Sequence, residues 1–143
     1  MDTLSSEQVE TIGSLIVASP YGRLLGLESA GVEVDRVQVR LPFRPEVTTI
    51  GEMVHGGAIA SLVDTAATAA GWATPKATLG ARGTTVGFSL NYLAASLASD
   101  LLADARVVKR GGSLTVVEVR VTDAAGQETA RALVTYKLSL PKG

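Results

Sequence analysis

The residues from Val54 to Asp64, Val-His-Gly-Gly-Ala-Ile-Ala-Ser-Leu-Val-Asp, are the stretch of this sequence best suited to chemistry. A glycine pair just before a helix, here Gly56 and Gly57, leaves backbone N–H groups uncommitted at the positive end of the helix dipole. Such donors can bind an anion or stabilise an oxyanion, and the missing Cβ lets a substrate carbonyl come close. The same residues also serve as an ordinary turn into a helix. Asp64 lies in an alanine-rich segment, where an unpaired buried carboxylate is costly. It could act as a general base or nucleophile with Ser61 or Thr68 orienting it. Alternatively, Ser61, Asp64, Thr65 and Thr68 form a solvent-facing stripe.

Spacing constrains the chemistry. Gly56 and Asp64 stand eight residues apart, roughly 12 Å along a helix. An oxyanion donor and a base must each approach one reacting group to within about 3 Å. One chain therefore cannot supply both to the same carbonyl, whereas two antiparallel copies of the helix can. An active site built on this pair belongs to a dimer.

The elements that would position these residues follow from periodicity. Ser5 with Gln8 forms a capping box, and Val9, Ile12, Leu15 and Ile16 recur at helical spacing until Ser19-Pro20 stops the helix. Val32 and Val34, then Val37, Val39 and Leu41, change phase at Asp35-Arg36, which predicts a tight hairpin. Residues 56–73 read as a helix apolar over a wide arc and destined for a core. Beyond it, Val86, Phe88, Leu90 and Tyr92 alternate, as do Thr115 to Val121 and Ala132 to Leu138, with a further strand around Ala103–Val108. Strands gathered after a helix predict an α+β fold with an antiparallel sheet wrapped around one central buried helix. The chain reads as one domain over residues 1–143, with the N-terminal helix in 1–19.

Composition narrows the function. Thirteen Lys and Arg against fourteen Asp and Glu give a net charge of −1, so the basic excess of a nucleic-acid binder is missing. The absence of cysteine removes disulfides, thiolate metal sites and cysteine nucleophiles, and one histidine excludes a multi-histidine metal centre within one chain. No apolar run is long enough for a membrane span, and the first residues lack the pattern of a signal peptide. The expectation is a cytoplasmic protein without nucleic-acid or membrane partners.

His55-Gly56-Gly57 followed by Leu62-x-Asp64 resembles the motif of hotdog-fold acyl-CoA thioesterases, specifically the phenylacetate-degradation (PaaI-type) branch. The resemblance extends over roughly residues 20–140: Thr84 to Leu93 is similar to the family's third strand, Lys109-Arg110-Gly111 to its following turn, and Gly126, Ala130 and Tyr136 to its closing hairpin. It implies a hotdog fold that hydrolyses acyl-CoA to a carboxylic acid and free coenzyme A. Asp64 would activate water or attack the thioester, Gly56 N–H would polarise the carbonyl, His55 would shape that loop, and Thr85 would stand near the attacking water. Gly57, Gly87, Tyr92, Lys109, Arg110 and Gly111 would lie on the substrate, with the basic residues suited to the coenzyme A phosphates. Ala60 and Ala67 would line the acyl pocket and Trp72 would cap it.

The resemblance implies no metal or redox cofactor, coenzyme A entering only as part of the substrate. It implies a homodimer at minimum and a homotetramer as the full assembly. Two positions depart from the family pattern: Thr49 replaces an asparagine common in relatives, and Ala94-Ala95 replaces Arg-Pro or Ser-Pro. The alternative reading is a non-catalytic acyl-CoA-binding hotdog protein.

Overall fold

Alternating apolar residues build the sheet, and the alanine-rich segment builds the helix it wraps. The computed structural model describes residues 3–141; residues 1–2 and 142–143 of the expected domain lie outside the described residues. In chain order the elements are α1 (Ser6–Thr11), a π-helical turn (Ile12–Val17), α2 (Pro20–Leu25), β1 (Glu28–Glu33), β2 (Arg36–Leu41), a short 3-10 turn (Pro45–Val47), α3 (Gly56–Trp72), β3 (Arg82–Tyr92), β4 (Leu101–Arg110), β5 (Leu114–Asp123) and β6 (Glu128–Ser139). The six strands form one sheet in the order β1-β2-β4-β5-β6-β3, and every neighbouring pair is antiparallel. The α+β hotdog architecture expected from the sequence is the one observed.

Small residues let helix and sheet approach closely. Ala66, Ala67 and Ala70 of α3 share a core with Ala103 and Ala105 of β4 and with Ala130 and Ala132 of β6. Larger side chains fill the remaining space: Leu62 and Val63 are fully buried, and each contributes about 1.5–3 kcal/mol by leaving water. The β1–β2 hairpin turns at Val34-Asp35, where Asp35 adopts a left-handed φ of 62°. Aspartate tolerates that region better than most residues.

The N-terminal segment differs from the expectation. Ser5 and Gln8 do make the predicted capping box. Ser19-Pro20 ends the first helical stretch but also starts α2: Ser19 Oγ accepts the Gly22 amide and Pro20 takes the first helical position. Proline is favoured there because its missing N–H would be unpaired anyway. Ile12 and Val17 from the π-helical turn are buried in the main core.

Two β-bulges determine which side chains face α3. In β3 the register with β6 shifts between Thr85 and Gly87, leaving Val86 as the extra residue. Thr85, Phe88, Leu90 and Tyr92 then pair with Tyr136, Val134, Ala132 and Ala130, all buried on the inner face. The alternation from Val86 to Tyr92 is therefore broken at its first member: Val86 is 60% exposed and Thr85 takes the inner position. In β4 the shift falls between Val107 and Lys109, with Val108 as the extra residue, so Arg110 pairs with the buried Thr115 and points inward.

Candidate active site

Helix α3 begins with an unusual cap. His55, in extended conformation, is the N-cap, and its Nδ1 accepts the Gly57 amide at 2.7 Å. An acceptor role at Nδ1 places the proton of the neutral ring on Nε2, at the exposed edge of the imidazole. The Gly56 N–H makes no hydrogen bond among the described residues, so a donor points free at the positive end of a long helix. Tyr92, at the end of β3, covers this point and its Oη donates to the Gly56 carbonyl at 2.6 Å. A Cβ at position 56 would lie 3.2 Å from that hydroxyl, so a larger residue there requires the tyrosine tip to give way by a few tenths of an ångström. Beside it a cleft of about 330 Å³ is lined by Thr49, Met53, Gly56, Tyr92, Leu93 and Ser96.

Asp64 lies two turns further along the helix. It is half-buried, and its Oδ1 accepts a hydrogen bond from Thr85 Oγ1 at 2.6 Å. Among the described residues nothing bonds its second oxygen. The β3 bulge makes the contact possible, because it allows Thr85 to face α3 along with the even-numbered residues beyond it. Ser61 does not orient the carboxylate: its hydroxyl bonds to the Gly57 carbonyl and to Tyr21 Oη, both at 2.9 Å. Thr68 remains on the same polar stripe, half-buried. Since α3 runs unbroken from Gly56 to Trp72, the free amide and the carboxylate stay about 12 Å apart.

The other residues singled out from sequence have separate places. Gly87 follows the bulged Val86 and is exposed on the edge strand. Lys109 is exposed, and Gly111 closes the β4–β5 turn by donating to the Leu114 carbonyl. Arg110 points the other way. Its guanidinium binds Asp35 Oδ1 at 2.9 and 3.1 Å and the carbonyls of Ala70 and Gly71 at 3.2 and 3.0 Å. It therefore closes the C-terminal end of α3, leaving Lys109 as the available cation of the pair. Ala67 is sealed in the core, while Ala60 is half-buried.

Two further side chains mark the two ends of this face: Tyr136, read from the sequence only as part of the closing hairpin, at the far end, and Ser96, which the sequence pattern did not single out, beside Gly56. Tyr136 is buried and accepts the Trp72 indole N–H at 2.7 Å. Burial pushes its phenol above the ordinary value; the Trp72 hydrogen bond offsets part of this and the charge of Asp64 adds to it. The phenol thus keeps its proton. Its ring and hydroxyl fill the space where side chains on Gly71 and Gly83 would stand. Ser96 Oγ is buried in the wall of the cleft beside Gly56 and has no hydrogen-bond partner among the described residues.

The Thioesterase superfamily model matches residues 51–130, which span the glycine pair, Asp64, β3, β4 and β5. The chain belongs to the thioesterase superfamily. Its chemistry is thus that of a thioester hydrolase. Human acyl-coenzyme A thioesterase 13 is 28% identical over 127 residues, which cover 87% of this chain and 89% of that protein. The crystal structure of zebrafish thioesterase superfamily member 2 matches at 28% identity with a TM-score of 0.81, covering 95% of this chain and 99% of that one. The PaaI protein of the E. coli phenylacetic acid degradation operon shares the fold at a TM-score of 0.81 and 18% identity, over 98% and 97% of the two chains. Among the described residues no helix is long and apolar enough to cross a membrane.

Proposed function

We propose that the protein hydrolyses acyl-CoA thioesters at two sites per dimer, each combining Gly56 of one chain with Asp64 of the other. The observation that carries this reading is Asp64 itself: a half-buried carboxylate on an apolar helix, held at one oxygen by Thr85 and open at the other. The unpartnered Gly56 amide supplies the complementary group. A thioester carbonyl bound there develops its negative charge against the N–H and the helix dipole, where a preorganised donor lowers the barrier. Asp64 delivers the attack, as base toward a water or as the nucleophile, and Thr85 fixes the direction in which its free oxygen points. Either route consumes one water, which attacks the thioester directly or opens the mixed anhydride formed on Asp64. The C–S bond breaks, and a proton from that water passes to the departing thiolate, leaving a carboxylic acid and the coenzyme A thiol. No step calls on a metal or redox cofactor.

Strand β3 favours the dimer. It is the last strand of the sheet, and Val86, Phe88 and Tyr92 stand exposed along it. An open edge with apolar side chains is a template for further pairing, and a second β3 in antiparallel register covers it. Lys109 offers a charge to the coenzyme A phosphates.

Free-thiol release from a panel of acyl-CoAs tests the chemistry. Asp64→Asn is expected to lower kcat by about 10²–10⁴-fold while the protein stays folded. Mixing separately inactive Gly56→Pro and Asp64→Asn chains tests the shared site. Subunit exchange should restore about a quarter of the wild-type rate, because each mixed dimer keeps one intact pair. Activity in Asp64→Asn equal to wild type overturns the mechanism. Binding of acyl-CoA without any thiol release by wild type favours a non-catalytic binding protein.

A further inference from the structure

The largest cavity described lies away from both Gly56 and the coenzyme A side of the site. It has a volume of about 560 Å³ and sits between α1, the π-helical turn and the loop joining α3 to β3. That size falls within the range of small-molecule pockets. Ile12, Leu15, Trp72, Ala77, Leu79 and Ala81 form its apolar lining. Among the described residues no Lys, Arg or His lines it, and Glu7 is the one charged side chain. An anionic group is disfavoured there, whereas an uncharged hydrocarbon is not. Leu79 at the rim is fully exposed and Leu15 is 69% exposed, so apolar surface waits to be covered.

Two features place this chamber in line with the site, on the far side of one indole. Asp64, Thr68 and Trp72 follow one another at four-residue spacing along α3, so the indole lies about 12 Å beyond the carboxylate. The Tyr136 hydroxyl holds that indole in place, and the indole also forms part of the chamber wall. The roof is tied down too. Gln8 Nε2 reaches the carbonyls of Thr74, Pro75 and Ala77, each at 3.2 Å, while its Oε1 still completes the cap of α1.

We propose that this chamber receives the far end of an aliphatic acyl chain whose thioester lies at Asp64, with Trp72 as the partition between them. The inference rests on the reading of Asp64 as the catalytic carboxylate. It selects among acyl groups: a short acyl group ends before the indole, and a long saturated chain passes it to bury its end among Ile12, Leu15 and Ala77. Chain length, read at Trp72, is then the basis of substrate preference.

Trp72 is the only tryptophan in the chain, so its emission reports occupancy directly. Thr78 and Ala81 line the chamber but take no part in the chemistry, and Thr78 is exposed. Thr78→Phe and Ala81→Phe should each lower kcat/KM for dodecanoyl-CoA by about tenfold and leave butanoyl-CoA within about twofold. Dodecanoate carrying bromine on its terminal carbon should quench Trp72 in wild type, and far less in either variant. Equal effects on both chain lengths, no effect on either, or no quenching in wild type overturns the inference while hydrolysis stands. Quenching without thiol release from any acyl-CoA removes the hydrolase reading, and with it the chamber's role in substrate choice.

Discussion

The two ends of α3 are built to opposite ends. At its start, Gly57 N–H is taken by His55 but Gly56 N–H is left without a partner, and a cleft opens beside it. At its finish, the carbonyls of Ala70 and Gly71 are held by Arg110, and the Ala73 carbonyl accepts the Asp35 amide. Every helix leaves donors at one end and acceptors at the other. Here the acceptors are bound by protein groups, whereas among the described residues one donor stays open, the donor that the proposed mechanism assigns to the thioester carbonyl. Under the proposed mechanism, the contrast separates stability from chemistry along a single element, and each end can be altered without the other.

Gly56→Pro is the most severe test of the open end. Proline at the first helical position removes the N–H while its fixed φ suits a helix start. His55 already has the extended conformation that a following proline demands (φ −62°, ψ 133°). Activity is expected to fall by about 10²–10³-fold, as for loss of one oxyanion donor. The midpoint of urea unfolding should fall only modestly: no hydrogen bond donated by Gly56 to protein is lost, and the added Cβ meets the tip of the exposed Tyr92, which can shift by a few tenths of an ångström. Unfolding at much lower urea would show that Gly56 serves the fold, and the contrast between the ends would collapse.

Arg110→Met probes the closed end and should behave in reverse. It removes two hydrogen bonds to helix carbonyls and the ion pair with Asp35, and it leaves the methylene stem able to pack. Hydrogen bonds from a charged group favour a loss of up to about 3 kcal/mol. Because Asp35 is 46% exposed, solvent screening brings the expected cost to about 1–2 kcal/mol. The check is a lower denaturation midpoint at unchanged slope, with kcat per folded molecule equal to wild type. A drop in kcat without a stability change would give Arg110 the substrate contact that its sequence position suggests.

These ends were not equally legible in the sequence. The open end announced itself, since a glycine pair ahead of an apolar helix is a local pattern and Asp64 interrupts that helix visibly. The closed end was hidden by one residue of phase. Inner positions Leu101, Ala103, Ala105 and Val107 extrapolate to Lys109, but the bulge at Val108 turns Arg110 inward instead. The bulge at Val86 likewise brings Thr85, not Val86, to face the helix. Alternation shows that a strand exists, yet a bulge is set by pairing with a distant strand and leaves no mark in the alternation itself. Gln8 shows the same limit. Its capping role is read three residues away, but its contacts with Thr74, Pro75 and Ala77 join segments that only the fold brings together.

The smallest predicted effect is also the most discriminating, because it alters the open end without touching its donor. Tyr92 belongs to β3, and its hydroxyl holds the Gly56 carbonyl from outside the helix. That carbonyl lies one peptide beyond the free amide, so the tyrosine fixes the plane of the turn from which the N–H projects. Tyr92→Phe keeps the ring over Gly56 and removes only this bond. Loss of one neutral hydrogen bond at an exposed position is worth about 1 kcal/mol, or roughly fivefold if it acts wholly on the transition state. The side chain is 52% exposed, so water can replace the lost donor and global stability should hold. The expected result is a several-fold lower kcat with KM and unfolding midpoint near wild type. A rise in KM at constant kcat would instead mean that Tyr92 grips the substrate, and a lower midpoint alone would mean that it braces the helix. In the first case the free amide at Gly56 depends on a neighbour to aim it, and the open end is as carefully constructed as the closed one.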